Sequence, residues 1–278
     1  MSSAIQSQCT TRQGAGYGAG YWAPGFGLLL AAAVALVLPP GSLPHPVDPN
    51  APFDSAQIEA VSFILNPATP EPTQPVGHDE QATPLFGMDT VPLFGGDVLE
   101  KWNRARAEIA RELEAVARCR VNQPCPPAAQ KLIDLSSEGA GRSGRAKVGL
   151  INRAVDLAIG PTSDEAQWGV PDHWSAPFET IRSGRGDCED YAIVKYAALL
   201  EAGIPSDDMK IVILKNAFPA EDHAVLAALV DGEWLILDNR TLTLVRDLDV
   251  TRAVPELVLD REGVRRFVSK SRKDRATG

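Results

Sequence analysis

The sequence predicts an α+β fold in which helices come first and pack on an antiparallel sheet that follows. Two features of the 278-residue chain support this order. Apolar residues recur at helical spacing between residues 97 and 159, whereas short runs typical of strands fill residues 210–259. Runs of helices followed by runs of strands are typical of α+β domains, whose helices cover one face of the sheet.

The first half contains three predicted helices. Asp97, with Glu100 three residues later, can begin the first as a capping box. Two consecutive prolines begin the second, because proline is favoured in the first turn of a helix. Gly160-Pro161 ends the third. The three helices are predicted at 97 to about 116, at 126–135 and at about 145–159.

The second half combines two helices with short strands. A short helix is predicted at 177–183 and a longer one from Cys188 to Gly203. Only Asp231-Gly232 separates two of the strand-like runs, and this dipeptide is typical of a two-residue hairpin turn. Strands are predicted at 210–215, 223–230 and 233–239, with two shorter ones at 242–244 and 257–259.

The two ends of the chain differ from the folded part. Residues 26–38 form a run of 13 apolar residues, which suits a signal-peptide core better than a transmembrane helix. An uncleaved anchor and a cytosolic protein are the alternatives. Residues 41–84 are rich in proline and predict a flexible arm. We therefore divide the chain into a signal peptide or anchor (1–40), an arm (41–84), a folded domain (85–268) and a disordered tail (269–278).

Charge and cysteine usage narrow the function. The net charge is −9 and no basic stripe is present, which argues against a nucleic-acid partner. Cys9 precedes the apolar run and would leave with a signal peptide. Cys119 and Cys125 are close enough in sequence to pair in an oxidising compartment. Elimination then leaves Cys188 as the cysteine to be explained, because a remaining thiol in an exported protein needs an explanation.

Cys188 lies at a predicted helix start that favours a reactive thiolate. The positive end of a helix dipole lowers the pKa of a thiol at this position, and Asp187 is a natural N-cap. The carboxylates of Asp187, Glu189 and Asp190 oppose this effect by like-charge repulsion. A protonated His223 or a bound cation would compensate. Hard oxygen ligands of this kind suit Ca²⁺ better than zinc.

The hairpin register brings a histidine and a carboxylate together. A two-residue loop at 231–232 places Val225 opposite Asp238. Because side chains alternate along a strand, His223 and Asp238 become diagonal neighbours on one face, within reach of a hydrogen bond. Such a carboxylate fixes the imidazole tautomer and stabilises its protonated form. With Cys188 as nucleophile, these residues predict a Cys–His–Asp catalytic triad.

Each of these residues has a simpler interpretation when it is taken alone. Acidic residues at a helix start complement the helix dipole, and a lone cysteine there is more often a small buried residue. A histidine at the start of a strand is usually structural. His173 lies in a predicted loop and has no carboxylate partner comparable to that of His223. A zinc site is disfavoured, because pairing of Cys119 with Cys125 leaves too few soft ligands.

Several motifs resemble the bacterial transglutaminase-like cysteine proteinases, a family that includes the LapG-type periplasmic proteases. The most specific are GDCEDYA at 186–192, HAVL at 223–226 and LDN at 237–239, in this order and at compatible distances. The others are WG at 168–169, DHWSAP at 172–177 and KY at 195–196. The resemblance covers roughly residues 85–268.

The resemblance implies a papain-like, transglutaminase-type core with Cys188, His223 and Asp238 as its triad. It also implies Ca²⁺ bound by the acidic residues that flank the cysteine, which are Asp187, Glu189 and Asp190 here. LapG-type members act in the periplasm on a large surface adhesin and are controlled by an inner-membrane cyclic-di-GMP receptor. A protein substrate is therefore expected, and the adhesin and the receptor are the partners that the resemblance suggests.

The expected reaction is hydrolysis of a peptide bond through a thioester. His223 takes the Cys188 proton, the thiolate attacks a backbone carbonyl, and water hydrolyses the acyl-enzyme. The backbone N–H of Cys188 can stabilise the oxyanion, and Trp168 or Trp174 is a candidate second donor, with a place in the core or in the substrate wall as the equal alternative for either. A transglutaminase-type acyltransferase, which passes the thioester to an amine, is one alternative. A non-catalytic binding module with the same fold is the other.

Overall fold

A computed structural model describes residues 84–121, 124–216 and 221–268. The predicted signal peptide or anchor (1–40) and tail (269–278) lie outside these residues, as does the predicted arm (41–84) except for its last residue. Cys9 also lies outside them. Within the described segments, no helix is both long and apolar enough to cross a bilayer.

The described segments contain six α-helices. The sequence predicts five of them and misses a five-residue helix that is too short to show apolar periodicity. The first helix has Gly96 as its N-cap and no side-chain cap in the described structure, so the capping box predicted at Asp97 and Glu100 does not form. The helices are α1 Asp97–Arg120, α2 Pro127–Ser137, α3 Gly144–Ala158, α4 Asp164–Trp168, α5 Pro177–Ser183 and α6 Cys188–Glu201.

Seven strands form an antiparallel sheet that follows the helices in sequence, apart from its first strand. These strands are β1 Asp89–Leu93, β4 Met209–Asn216, β5 Asp222–Val230, β6 Glu233–Leu237, β7 Val245–Arg246, β8 Ala253–Asp260 and β9 Gly263–Val268. Their order across the sheet is β1-β9-β8-β4-β5-β6-β7. The short segments β2 Gly160–Pro161 and β3 Arg185–Gly186 pair separately and in parallel. The predicted α+β class is therefore confirmed.

The sequence locates the central strands better than the edges. It does not predict β1, which is largely exposed and, among the described residues, pairs only with β9. It does not predict β9 either, and it places a strand at 242–244 where the structure has β7 at 245–246. The edge strands β1 and β7 bury little surface, so they lack the apolar pattern by which the central strands are recognised, whereas β9 lies inside the sheet between β1 and β8 and has two arginines in the middle of its six residues.

Two apolar layers flank the sheet. The larger lies between the helices and one face, to which β5 contributes Ala224, Leu226 and Ala228. The alternate residues Val225 and Ala227 belong to a second cluster. All of α6 from its first residue to Leu199 is buried. A helix buried on every side lies at the centre of a domain, and α6 packs directly on β5.

The β5–β6 hairpin has the predicted register. Val230 pairs with Glu233 and Leu226 with Leu237. The turn residues Asp231 and Gly232 have φ values of 51° and 82°, as the tight turn of a two-residue hairpin requires. This register determines which residues stand opposite one another at the far end of the hairpin, where β6 ends and residue 238 follows.

A disulfide closes the connection between α1 and α2. Cys119 and Cys125, six residues apart, are bonded to each other, as an oxidising compartment would allow. Both side chains are partly buried against the larger apolar cluster. The disulfide fixes the end of α1 close to the start of α2 and is the pairing that the sequence allows but leaves open.

Candidate active site

Cys188 is the first residue of α6, and its sulfur lies against the start of β5. The backbone N–H of Ala224 donates a hydrogen bond to Cys188 Sγ at 3.2 Å. The same sulfur lies 3.0 Å from Glu189 Oε2. The residue is 1% exposed. Because Ala224 follows His223 directly, this contact brings the predicted nucleophile to the strand that carries the predicted base.

Glycine at position 186 allows this close arrangement. A Cβ atom on Gly186 would lie 2.7 Å from Asp190 Cβ and from Asp190 Oδ2, much closer than real Cβ contacts. Strand β3 therefore passes directly against the first turn of α6. Asp187 is the N-cap residue of α6, but its side chain makes no capping hydrogen bond there. Its carboxylate is directed elsewhere in the site.

His223 and Asp238 form the contact predicted from the hairpin register. His223 Nε2 lies 2.8 Å from Asp238 Oδ1, which also accepts the backbone N–H of Arg240 at 2.9 Å. Burial by itself would raise the pKa of Asp238. The hydrogen bond and positive charge of His223, followed by the contribution of Arg240, outweigh burial and lower this pKa below its ordinary value. Asp238 is therefore a carboxylate at neutral pH.

Three buried carboxyl groups meet beside the start of α6. One oxygen from each of Asp164, Asp187 and Asp190 lies within 4.8 Å of the other two. Asp190 Oδ1 accepts the backbone N–H of Ser175 at 2.8 Å, and Asp164 accepts the backbone N–H of His173. Asp187 Oδ1 is buried and makes no hydrogen bond within the described segments.

The acidic cluster is electrostatically unfavourable without a cation. Burial, followed by repulsion from Glu189 and Asp190, raises the pKa of Asp187 to about 11. Burial also raises the pKa of Asp190 well above its ordinary value, although the Ser175 N–H acts in the opposite direction. Hard carboxylate oxygens that converge in a buried space suit a divalent cation such as Ca²⁺. The donor set therefore fits the ion that the sequence predicts.

A comparison with known families agrees with this geometry. Residues 119–251 match the family model of the bacterial transglutaminase-like cysteine proteinases (BTLCP). Over these residues the chain is a transglutaminase-like cysteine peptidase. Its core is thus of the transglutaminase type that the sequence motifs imply, with the cysteine at a helix N-terminus beside an antiparallel sheet.

Several solved structures are similar to the peptidase. Legionella pneumophila LapG has 22% identity and a TM-score of 0.46, and the match covers 60% of this chain and 92% of that one. Its calcium-bound form has 22% identity and a TM-score of 0.45, and the match covers 59% of this chain and 89% of that one. Its EGTA-treated form has 23% identity and a TM-score of 0.46, and the match covers 58% of this chain and 87% of that one. No curated protein sequence matches the chain.

The three predicted metal ligands do not all belong to the acidic cluster. Asp187 and Asp190 belong to the acidic cluster, whereas Glu189 lies against the Cys188 sulfur. The third carboxylate is Asp164, which the sequence does not indicate. β2 lies just ahead of α4, and β3 lies just ahead of α6. Their parallel pairing, in which Gly160 stands opposite Arg185, brings Asp164 at the start of α4 beside the start of α6. A two-residue strand pair leaves no recognisable pattern in a sequence.

The last residue of α4 and the loop that follows it contain the remaining candidates. Trp174 is buried, and its Nε1 atom makes no hydrogen bond within the described segments. Trp168 is 37% exposed and lies against the His173 ring, with centroids 5.0 Å apart and the ring planes tilted by 48°. His173, which was expected to lack a carboxylate partner, has its Nε2 atom 3.3 Å from Glu179 Oε2. A role of either tryptophan in oxyanion binding stays a prediction.

Proposed function

We propose that Cys188, His223 and Asp238 are the catalytic triad with which this cysteine peptidase hydrolyses a protein substrate. The observation that carries the proposal is a chain of short contacts. Asp238 is hydrogen-bonded to His223 at 2.8 Å, and the next residue along β5 holds the Cys188 sulfur at 3.2 Å. A nucleophile, a base and an orienting carboxylate in this order are the components of thiol catalysis.

The proposed mechanism requires Cys188 in its reduced form. With Nε2 bonded to Asp238, His223 uses Nδ1 to take the thiol proton, and the Asp238 carboxylate stabilises the resulting imidazolium. The thiolate attacks the scissile carbonyl carbon, and the C–N bond breaks as His223 protonates the leaving amine. Water, deprotonated by His223, then hydrolyses the thioester and regenerates the thiol. The backbone N–H of Cys188, in the first turn of α6, is the proposed oxyanion donor.

We propose that Asp164, Asp187 and Asp190 bind Ca²⁺. The support is their convergence within 4.8 Å, together with a buried Asp187 oxygen that makes no hydrogen bond within the described segments. The ion would supply positive charge beside Cys188 and offset the repulsion between these carboxylates. Through Asp164 it would also hold the start of α4 against the first turn of α6. Glu189, which contacts the sulfur, is the predicted ligand that this arrangement leaves out.

We propose that the peptidase acts after export to the periplasm. The apolar run at 26–38 and the Cys119–Cys125 disulfide support export to an oxidising compartment. A large surface adhesin as substrate and an inner-membrane cyclic-di-GMP receptor as regulator follow from the family resemblance. These two partners rest on the family resemblance alone.

A comparison of exported proteins tests the proposed function. Cells with the wild-type chain should contain a protein terminus that is missing in cells with Cys188→Ala. Ser137→Ala, a similarly small change on an exposed turn of α2, should leave that terminus in place. Identical termini in all three strains would contradict hydrolysis. An intact substrate that carries an added amine would instead identify the acyltransferase, and no difference of either kind would identify a binding module.

A further inference from the structure

A buried ion pair lies next to the proposed triad and has no role in the mechanism above. Lys195 Nζ of α6 lies 2.7 Å from Asp156 Oδ1 of α3, and the two side chains are 1% and 3% exposed. Lysine is among the residues least often fully buried. Two apolar residues of similar volume would often stabilise a core at least as well as a buried ion pair. Stability alone therefore does not account for this pair.

Lys195 connects the helix of the nucleophile to the end of β6, directly before the triad carboxylate. Its Nζ atom is 3.5 Å from the carbonyl oxygen of Leu237, to which it donates a long hydrogen bond. Leu237 is the last residue of β6, and Asp238 follows it. Lys195 comes seven residues after Cys188, which is almost two helical turns, so both lie on the same side of α6. One side of α6 therefore contacts both β5 and the end of β6.

The charges of the pair and of Asp238 also act on one another. Burial lowers the pKa of Lys195, whereas the negative charges of Asp156 and Asp238 raise it. Burial raises the pKa of Asp156, Lys195 lowers it, and the charge of Asp238 raises it. The pKa of Asp238 itself is determined chiefly by burial, His223 and Arg240. The contact with Leu237 is therefore the main route by which Lys195 can act on the triad.

We propose that Lys195, held by Asp156, is a positioning residue that orients Asp238 towards His223 by fixing the Leu237 carbonyl. The proposal rests on the proposed function only in treating these residues as a triad. Asp156 keeps the ammonium group in place, and the ammonium group restrains the last peptide of β6. Without it, the described residues that would still hold Asp238 in its 2.8 Å contact with His223 are those of the following turn, where Asp238 accepts the backbone N–H groups of Arg240 and Thr241.

The first test measures the rate at which iodoacetamide alkylates reduced Cys188, with peptide mass spectrometry as the readout. The variant Lys195→Met with Asp156→Asn removes both charges and leaves neither buried alone. We expect alkylation of this double variant to be at least about tenfold slower than wild type, because displaced catalytic groups lose orientation. In an Asp238→Asn background the same two substitutions should have almost no effect, since the residue through which they act is already impaired.

Lys147→Met is the matched control. Lys147 of α3 also donates to a carbonyl, that of Ala202 just after α6, at 3.2 Å, but at the end of the helix away from Cys188. We expect it to leave the alkylation rate unchanged. An unchanged rate in the folded double variant, or an equal loss in the Asp238→Asn background, would overturn the proposal. Wild-type Cys188 that is alkylated quickly while no protein is cleaved would instead argue against the proposed function alone.

A second measurement keeps the ion pair intact, in case the double variant does not fold. Coupling between two sites is reciprocal, so a change at Asp238 must alter the environment of Lys195. In the Asp238→Asn protein, the Nζ signal of Lys195 in ¹⁵N NMR should shift, while the signal of Lys147 should stay in place. A Lys195 signal that does not move would overturn the proposal, and this measurement leaves Lys195 and Asp156 unchanged.

Discussion

At the scale of single residues, Asp238 makes the sharpest prediction. In Asp238→Asn the side chain keeps nearly the same shape but no longer stabilises a protonated His223. We expect the rate of substrate cleavage to fall by about 100- to 10,000-fold, because the imidazolium and its tautomer lose their partner. Initial cleavage rates at neutral pH measure this effect, with an unchanged melting temperature as evidence that the fold is retained.

Asp249→Asn is the control for this substitution. Asp249 is exposed and pairs with Arg246 at 2.8 Å, away from Cys188. It should keep the wild-type rate of cleavage. A folded Asp238→Asn protein with wild-type activity would remove Asp238 from the triad.

The sequence predicts residues that local rules bring together and misses those joined by packing. The contact between His223 and Asp238 follows from strand alternation and one two-residue turn, and it is present at 2.8 Å. The contact between Cys188 and the Ala224 N–H depends on how α6 packs on β5, which no local pattern encodes. Asp164 is missed for the same reason, because 23 residues separate it from Asp187 in the sequence.

At the scale of elements, the β5–β6 turn can be tested without disturbing its surroundings. A Cβ atom on Gly232 would have no neighbour within 4 Å, but its φ of 82° is unfavourable for any residue with a side chain. Gly232→Ala should destabilise the fold by about 1 kcal/mol, which lowers the melting temperature by about 2–4 °C in a domain of this size. Cleavage should persist, because the register of the remaining pairs is unchanged.

Gly95→Ala is the matched control for the turn. A Cβ atom on Gly95 also has no neighbour within 4 Å, and its φ lies outside the left-handed region. Its melting temperature should therefore match that of wild type. Equal melting temperatures for Gly232→Ala and Gly95→Ala would show that the turn does not strain an alanine.

The contact between α1 and α5 predicts a pH dependence of stability. Glu112 Oε2 of α1 accepts the Phe178 N–H in the first turn of α5 at 2.9 Å. Burial raises the pKa of Glu112 to about 7, although Phe178 and Arg182 act in the opposite direction. A carboxyl whose pKa is higher in the folded state stabilises the fold at low pH. This contribution is lost as the pH rises from about 4.5 towards 7.

Glu112→Gln should therefore become more stable than wild type as the pH rises. We expect no difference near pH 4 and about 1 kcal/mol near pH 8, after allowance for partial solvent screening. Urea unfolding at several pH values measures the difference. Glu114→Gln, an exposed position on the same helix, should follow the wild-type profile throughout. A constant difference for Glu112→Gln at all pH values would contradict titration of this group within the range.

At the scale of the whole molecule, the acidic cluster of Asp164, Asp187 and Asp190 joins the start of α4 to the start of α6. Asp164 begins α4, whereas Asp187 and Asp190 flank the start of α6. Their carboxyl oxygens lie within 4.8 Å of one another, and the raised pKa values of all three groups favour protonation without a cation. Binding of Ca²⁺ should therefore stabilise the folded state and displace protons.

Calcium should raise the melting temperature of the purified protein and release protons as it binds. At a free Ca²⁺ concentration of 100 times Kd the gain is about 2.7 kcal/mol, or roughly 5–10 °C for a domain of this size. Calorimetry near pH 7 in two buffers of different ionisation enthalpy measures the proton release. Asp187→Asn should abolish both effects, whereas Asp134→Asn, an exposed position on α2, should keep them. Comparing Asp164→Asn with Glu189→Gln then decides which is the third ligand: loss of the Ca²⁺ response in Glu189→Gln alone would favour the set predicted from sequence, and loss in Asp164→Asn alone would favour the cluster in the fold.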